Sequence, residues 1–313
     1  MDDTGRLAGT SPSRLAVLDR LVAARARLQP VLPALRVLGF AFAVAIVVLM
    51  AVRAGRDVHP RDLAAWPLPV AFAGAAAWWL GLARGWAVLL RGRVSRSDIS
   101  VWCRTQALRF LPGGLWAPAS RVVVVPGGAF DRLATVAAEN LSALCSAVAV
   151  GGIALAASGR VWWIAAVPAA AVPTLAARAV AGRTRVTPVR SLTALANYLV
   201  AFTAYAAAAA LVQVAVSPHA DVLAVAGAAS IAWAAGLVVV IAPSGIGVRE
   251  LVYVQLLSGT LPYWALAAAA VTTRLMMIVA ELAILLAAGR PASSATAPDR
   301  EPAYPLTPGD RAR

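Results

Sequence analysis

Seven stretches of this chain stay apolar for longer than the core-facing side of any water-soluble helix requires: residues 35–52, 68–90, 134–157, 161–180, 192–216, 222–241 and 264–288. Crossing the hydrocarbon layer takes about 20 mostly apolar residues. Backbone groups in lipid have no water to bond, so such stretches have to close their hydrogen bonds internally, as helices. With 61% of residues hydrophobic and 13% charged, a water-soluble fold has nowhere to bury them. The expected class is an all-α polytopic membrane bundle of about seven or eight transmembrane helices, with two Pro/Gly-interrupted re-entrant segments. The first stretch is not a cleavable signal, because a long Arg-rich segment precedes it and further spans follow.

Charge sets the orientation. The net charge of +14 would suggest nucleic acid in a soluble protein, yet the basic residues sit between hydrophobic spans, where orientation explains them and no nucleic-acid partner is expected. All 28 are Arg, none Lys, in an Ala/Arg/Gly/Pro-rich composition that resembles GC-rich coding. Arg6, Arg14, Arg20, Arg25 and Arg27 precede the first span, with Leu15, Leu18 and Val22 at helical spacing between them. Arg91, Arg93, Arg96, Arg104 and Arg109, against a single Asp98, follow the second span, and Arg183, Arg185 and Arg190 follow the fourth. These segments belong inside, and the short or charge-balanced connections 53–67, 158–160 and 217–221 outside. The reading is residues 1–34 as a cytoplasmic, partly interfacial segment, 35–290 as the membrane domain and 291–313 as a disordered Pro/Ala/Ser/Thr tail. It makes the protein multi-pass in the plasma membrane with a cytoplasmic N-terminus. The side of the C-terminus depends on whether 248–257 counts as half a span or a full one.

Two places break the clean spans. One runs Arg109-Phe-Leu-Pro-Gly-Gly-Leu-Trp-Ala-Pro-Ala-Ser-Arg121 and on to Pro126-Gly127-Gly128; the other is Pro243-Ser-Gly-Ile-Gly-Val-Arg-Glu250. Each is apolar enough for the membrane but too rich in Pro and Gly for a continuous helix. Before the first, Ile99, Trp102, Cys103, Gln106 and Phe110 share a face, so an amphipathic helix is expected over 98–111, ended by Pro112. After the second, residues 248–257 make about 15 Å of helix, half the hydrocarbon thickness. Paired interruptions, one in each half, mark a transporter-type binding site. Each follows a run directed inward and precedes one directed outward, so a repeat relating them would be parallel.

The Leu111-Pro112-Gly113 turn followed by Trp116 and Arg121, together with the Pro243-Ser-Gly-Ile-Gly-Val-Arg-Glu250 box, resembles the transmembrane, flippase-like domain of bacterial lysylphosphatidylglycerol synthases and their free-standing relatives. The resemblance covers residues 35–288, and the second box is its more specific carrier. Glu139 also falls where that family has an acidic residue. Full-length members append a soluble aminoacyl-transferase domain; no such region follows here, so the synthase reaction is not expected.

The polar residues inside spans need reasons, since a central Arg costs about 2.5–3.5 kcal/mol on insertion scales. Arg84 and Arg178 lie near cytoplasmic ends and can snorkel. Arg274 and Glu281, two turns apart on one face, either compensate buried charge or line a polar path. They are about 10.5 Å apart along the axis, so a direct bridge needs help from another helix, for which Glu139 or Arg121 are the candidates. Arg249 and Glu250 point about 100° apart, so one faces a ligand while the other holds the motif. Either the box is a tight surface turn, or its glycine-flanked helix start receives an anionic head group. The candidate head-group residues are Arg109, Pro112, Gly113, Trp116, Arg121, Glu139, Gly245, Gly247, Arg249 and Glu250.

Enzymatic signals are weak. His59 and His219 sit in external loops away from carboxylates or cysteines, which suggests neither a triad nor a metal site. Cys103 and Cys145 make no disulfide framework or zinc set, and Gly127-Gly128 lacks the context of a nucleotide loop. No cofactor and no metal are expected. The function expected is binding and translocation of an anionic phospholipid or polyprenyl-linked saccharide. The alternatives are an intramembrane lipid-modifying enzyme and a scaffold for a separate transferase or glycosyltransferase.

Overall fold

The computed structural model describes residues 64–108, 116–125, 127–239 and 243–287, with Val48, Leu49 and Val52 besides. The basic segment 1–34, nearly all of the apolar run 35–52 and the tail 291–313 lie outside the described residues. Everything described is helix or connection, and no strand forms among those residues. The α-helices are α1 (Pro67–Arg91), α2 (Arg96–Ala107), α3 (Trp116–Val124), α4 (Ala129–Ala157), α5 (Val172–Ala179), α6 (Pro188–Val216), α7 (Val222–Val238), α8 (Val248–Leu256) and α9 (Tyr263–Ala287). Among the described residues, five segments are long and apolar enough to cross a membrane: α1, α4, the run Val161–Ala179, α6 and α9.

The bundle is built on α1 and α6, antiparallel along their whole length. At one end the Ala64 N–H donates to the Ala215 carbonyl at 2.9 Å, and at the other Gly92 meets the Arg190 side chain. Small residues let the backbones close. A Cβ at Gly81 would stand 2.7 Å from Ala201 Cβ, and one at Gly85 2.7 Å from the Tyr198 ring. Helices inside lipid gain little from burying apolar surface, so this close van der Waals fit is what holds them together. The same device joins α4 to α7, where a Cβ at Gly227 would lie 2.6 Å from Leu155. Between the helices sits an aromatic core, with Trp78, Trp79, Tyr205, Phe202 and Trp233 in edge and tilted contact.

These pairings sort the connections to two ends. The arginine-rich ones gather together, with Arg91 paired to Asp98 at 2.9 Å and Arg185 to Asp131 at 3.4 Å. The connections around 158–160 and 217–221 lie at the opposite end with the start of α1. That is the sorting the arginine distribution predicts. Arg84 and Arg178 are exposed on the outside of their helices, as snorkelling requires.

The run expected as one helix over 161–180 is a correction. Val161–Ala171 is a 3₁₀ helix, followed by α5. Pro168 has no N–H to donate and Pro173 opens α5, so the tighter, longer-rising form fits. With its 11 residues in 3₁₀ form and 8 in α, the run reaches about 34 Å, enough to cross despite its length. It is the periphery of the bundle, with only Pro173 and Ala177 of the run buried.

The helices on either side of each Pro/Gly break pack back on one another as a hairpin, but from opposite ends, which corrects the parallel relation. The first, α2 and α3, starts and finishes at the arginine-rich end: Asp98 pairs with Arg91, while Trp102 has climbed to the level of Trp79. In the second, α7 descends from the opposite end and α8 returns toward it. Along α8, Arg249 stands beside Gly236 of α7, and Tyr253 donates to Gln213 near the end of α6 at 2.9 Å. The nine residues of α8 make about 13 Å of helix, as short as the 248–257 segment read from the sequence. α9 then runs toward the arginine-rich end: partway along, the Trp79 indole donates to the Met277 carbonyl at 2.9 Å, and one turn further Glu281 lies beside Cys103.

Gly81→Leu should destabilise the protein by about 1–3 kcal/mol or more, since Ala201 Cβ and the α6 backbone have nowhere to go. Gly128→Ala, which meets nothing within 4 Å, should change stability by less than about 0.5 kcal/mol. Thermal unfolding in detergent separates the two.

Candidate functional site

α3 of the first hairpin and the start of α8 in the second both border a cavity of about 310 Å³, lined also by residues of α1, α2, α4, α6 and α7. Arg121 of α3 and Arg249 of α8 both line it. Each guanidinium lies over an indole: Arg121 5.3 Å from the Trp102 ring centre, Arg249 5.1 Å from that of Trp233. A second cavity of about 50 Å³ lies beyond, bounded by Arg249, Glu250 and Arg274. Trp78, Trp79 and Ser244 line both cavities, as does Arg249.

Arg121 is only 3% exposed, and its whole fork is used. It pairs with Glu139 of α4, donates to Gln106 of α2, and donates through Nε to Thr105 Oγ1 at 3.3 Å. Glu139, 4% exposed, also accepts from the Trp102 indole at 2.7 Å. A charge taken out of water is tolerable when paired and hydrogen-bonded on this scale. The amphipathic face expected on α2 is therefore real in part: Trp102 and Cys103 are buried, with Gln106 at the cavity. Phe110, Arg109, Pro112 and Gly113 lie outside the described residues, as does the Trp116 side chain.

The second box folds around its backbone. Ser244 and Gly245 adopt left-handed φ of 55° and 65°, and Gly247 has φ 82°. A Cβ at Gly245 would approach Gly236 Cα to 2.7 Å, so this turn presses directly on α7. The Gly247 N–H donates to Glu250 Oε2 at 2.8 Å, so the Glu250 side chain caps the start of α8 by reaching back to the N-cap backbone. The other Glu250 oxygen accepts from Arg274 at 3.4 Å, and Arg274 also donates to the Ser244 carbonyl at 3.1 Å. Glu250 thus holds the motif while Arg249 faces the cavities. Arg274 joins the second box rather than Glu281, and Arg121 and Glu139 bind each other rather than completing a network with Arg274 and Glu281. This is a correction, and its reason is that α8 carries a carboxylate to within reach of Arg274. Glu281 sits apart, in a void of about 10 Å³ with Cys103, Gln106 and Trp102.

Sequence reasoning missed Thr105, Tyr198, Trp233 and Gly236. Trp233 and Gly236 look like ordinary members of an apolar run, and only the return of α8 gives them an arginine to face. Among the described residues no group of three or more His, Cys, Asp and Glu side chains could hold a metal ion. No protein-family model matches the chain, and no curated protein matches it.

Breaking the buried pair should cost more than removing it. Arg121→Leu or Glu139→Leu alone should lose about 3–5 kcal/mol, because each leaves a lone charge inside the bundle. The double variant should recover most of that loss. Thermal unfolding of the two single variants and the double in detergent reads the coupling; an additive double would overturn the pairing.

Proposed function

We propose that this protein binds the head group of an anionic lipid between its two hairpins and carries it across the plasma membrane. The observation that carries the reading is that Arg121 and Arg249, from hairpins entering at opposite ends, line one cavity of about 310 Å³ together with Gln106, Glu139 and Asn140. That volume is at the lower end of ordinary ligand sites of about 300–1,000 Å³, suited to a head group whose tails stay in the bilayer. The resemblance of both boxes to the lysylphosphatidylglycerol synthase flippase-like domain supports the same reading.

In this proposal the hairpins are re-entrant segments, and the crossings are the five candidate spans plus the apolar run 35–52. The arginine-rich end faces the cytoplasm, which places the N-terminus there. The end of α9 reaches that same side, so the C-terminal tail is cytoplasmic too. Broken helices that meet near the middle of a bundle are a recurrent way to build a site reachable from two sides.

Arg249→Gln should leave folded yield intact and weaken binding of phosphatidylglycerol by about tenfold, or about 1.4 kcal/mol. Its transfer of fluorescent phosphatidylglycerol between leaflets of proteoliposomes should fall in parallel. Unchanged affinity and transfer would overturn the site. Chemical conversion of the labelled lipid by purified protein would favour a lipid-modifying enzyme instead. Absence of lipid binding together with stable co-purification of a transferase would favour a scaffold.

A further inference from the structure

Buried polar atoms are rarely left without a hydrogen-bond partner, so those that are, gathered around one cavity, indicate what would complete them. Three residues lining the larger cavity hold such an atom: Glu139 Oε2 on α4, the Tyr198 hydroxyl on α6 and the Trp78 indole N–H on α1 have no partner among the described residues. The three residues are 4%, 1% and 1% exposed. Glu139 and Tyr198 share a neighbourhood, since the Tyr198 hydroxyl lies in the field of both Glu139 and Arg121. Packing and other bonds fix where these groups stand. The Tyr198 ring is seated on Gly85, where a Cβ would come within 2.7 Å of it, and Glu139 is held through its other oxygen by Trp102 and Arg121.

The three atoms differ in what completes them. A carboxylate paired with an arginine only accepts, an indole N–H only donates, and a phenol hydroxyl does both. Phosphate oxygens alone would set acceptors against Glu139. An ammonium would set donors against the Trp78 indole, and the methyl groups of a choline would serve none of the three. A hydroxyl donates and accepts together, and atoms spread over three helices need more than one of them. We infer that the larger cavity takes a polyol, the glycerol or sugar part of a head group, through Glu139, Tyr198 and Trp78. The inference rests on the lipid-binding reading and names the part of the head group beyond its phosphate. The rest of the lining agrees. Trp79 and Trp102 supply flat apolar faces against which the C–H side of a polyol can pack, and Gln106 and Asn140 add side-chain amides, groups that both donate and accept.

Phosphatidylglycerol and phosphatidylpropanol carry the same single charge on the same three-carbon head group and differ only in the hydroxyls of the glycerol. The experiment measures binding of both, with identical dioleoyl tails, to purified full-length protein in detergent. Phosphatidylglycerol should bind at least about tenfold tighter, because a site built around a ligand hydroxyl leaves its own polar groups unpaired with the analogue that lacks it. Tyr198→Phe removes one hydroxyl and keeps the ring on Gly85. It should cost about tenfold in phosphatidylglycerol affinity and leave phosphatidylpropanol unchanged, so that the preference collapses. Trp86→Phe is the control, since it removes an unpartnered indole N–H that lines neither cavity, and it should keep the preference intact. Tailless glycerophosphoglycerol, added as competitor, separates a lipid from a free polyol phosphate, and it should displace phosphatidylglycerol only at far higher concentration. Equal affinity for the two lipids, or a preference that survives Tyr198→Phe, would overturn the polyol site while leaving lipid binding standing. Displacement by glycerophosphoglycerol at concentrations equal to those of the lipid would overturn the assignment to a lipid. Binding of neither lipid would overturn this inference and the lipid-binding reading together.

Discussion

Backbone that leaves the helical ladder in the middle of an apolar bundle has to find its hydrogen bonds inside the protein, and the rest of this structure follows from how that is done. At the second box the solution is one residue, Glu250. One of its oxygens receives the Gly247 N–H, and the other receives Arg274, whose second branch takes the Ser244 carbonyl. Remove the carboxylate and the Gly247 N–H and Arg274 lose a partner together. The first hairpin uses the same chemistry in a different arrangement, with Arg121 tied to three residues of α2 and α4. In each case an ion pair is what allows a helix to stop partway, and stopping partway is what creates a cavity.

Stability and site are therefore the same construction. A buried ion pair is weak evidence for stability by itself, since a well-packed apolar pair is often as good. Here apolar replacements would still leave the carbonyl of Ser244 and the N–H of Gly247 without partners. The glycines serve the same end from the packing side. Gly236 and Gly245 bring the turn against α7 closely enough that Arg249 reaches the ring of Trp233, and a methyl group at either position would occupy that space. The position of the cavity arginine is thus set by two glycines on different elements.

Much of this was legible in the sequence, and what was not has identifiable causes. Long apolar runs report helices directly, and the arginine distribution sorted the connections to their ends, because both signals are local. The interruptions were equally plain, as Pro and Gly announce them. The relation between the hairpins was not, because a hairpin's direction depends on whether the helix after the break turns back or continues, and the nine residues of α8 are compatible with either until Tyr253 meets Gln213. Partner choice failed for a similar reason: Arg274 and Glu281 share a helical face, but α8 places Glu250 within 3.4 Å of Arg274. The 3₁₀ form of Val161–Ala171 hid behind ordinary hydrophobicity, with only Pro168 and Pro173 as signals.

The arrangement of the two cavities bears on how a charged group would pass, on the lipid-carrying reading. Moving a charge through an apolar bundle is costly chiefly where it has no counter-charge, so a route is easiest when one partner stays with it throughout. Arg249 lines both cavities and so meets that condition without any transfer between arginines. What stands between them is the layer of Trp78 and Trp79, packed against Tyr205 and Trp233. The smaller cavity, at about 50 Å³ against about 310 Å³ for the larger, is the tighter of the two, so on that reading a head group enters it as that aromatic layer shifts. The Trp79 indole is fastened to the Met277 carbonyl of α9, the helix that also carries Arg274. A movement of α9 would therefore displace the aromatic layer and loosen the Glu250 clamp at once, which couples opening of the smaller cavity to release of the second hairpin.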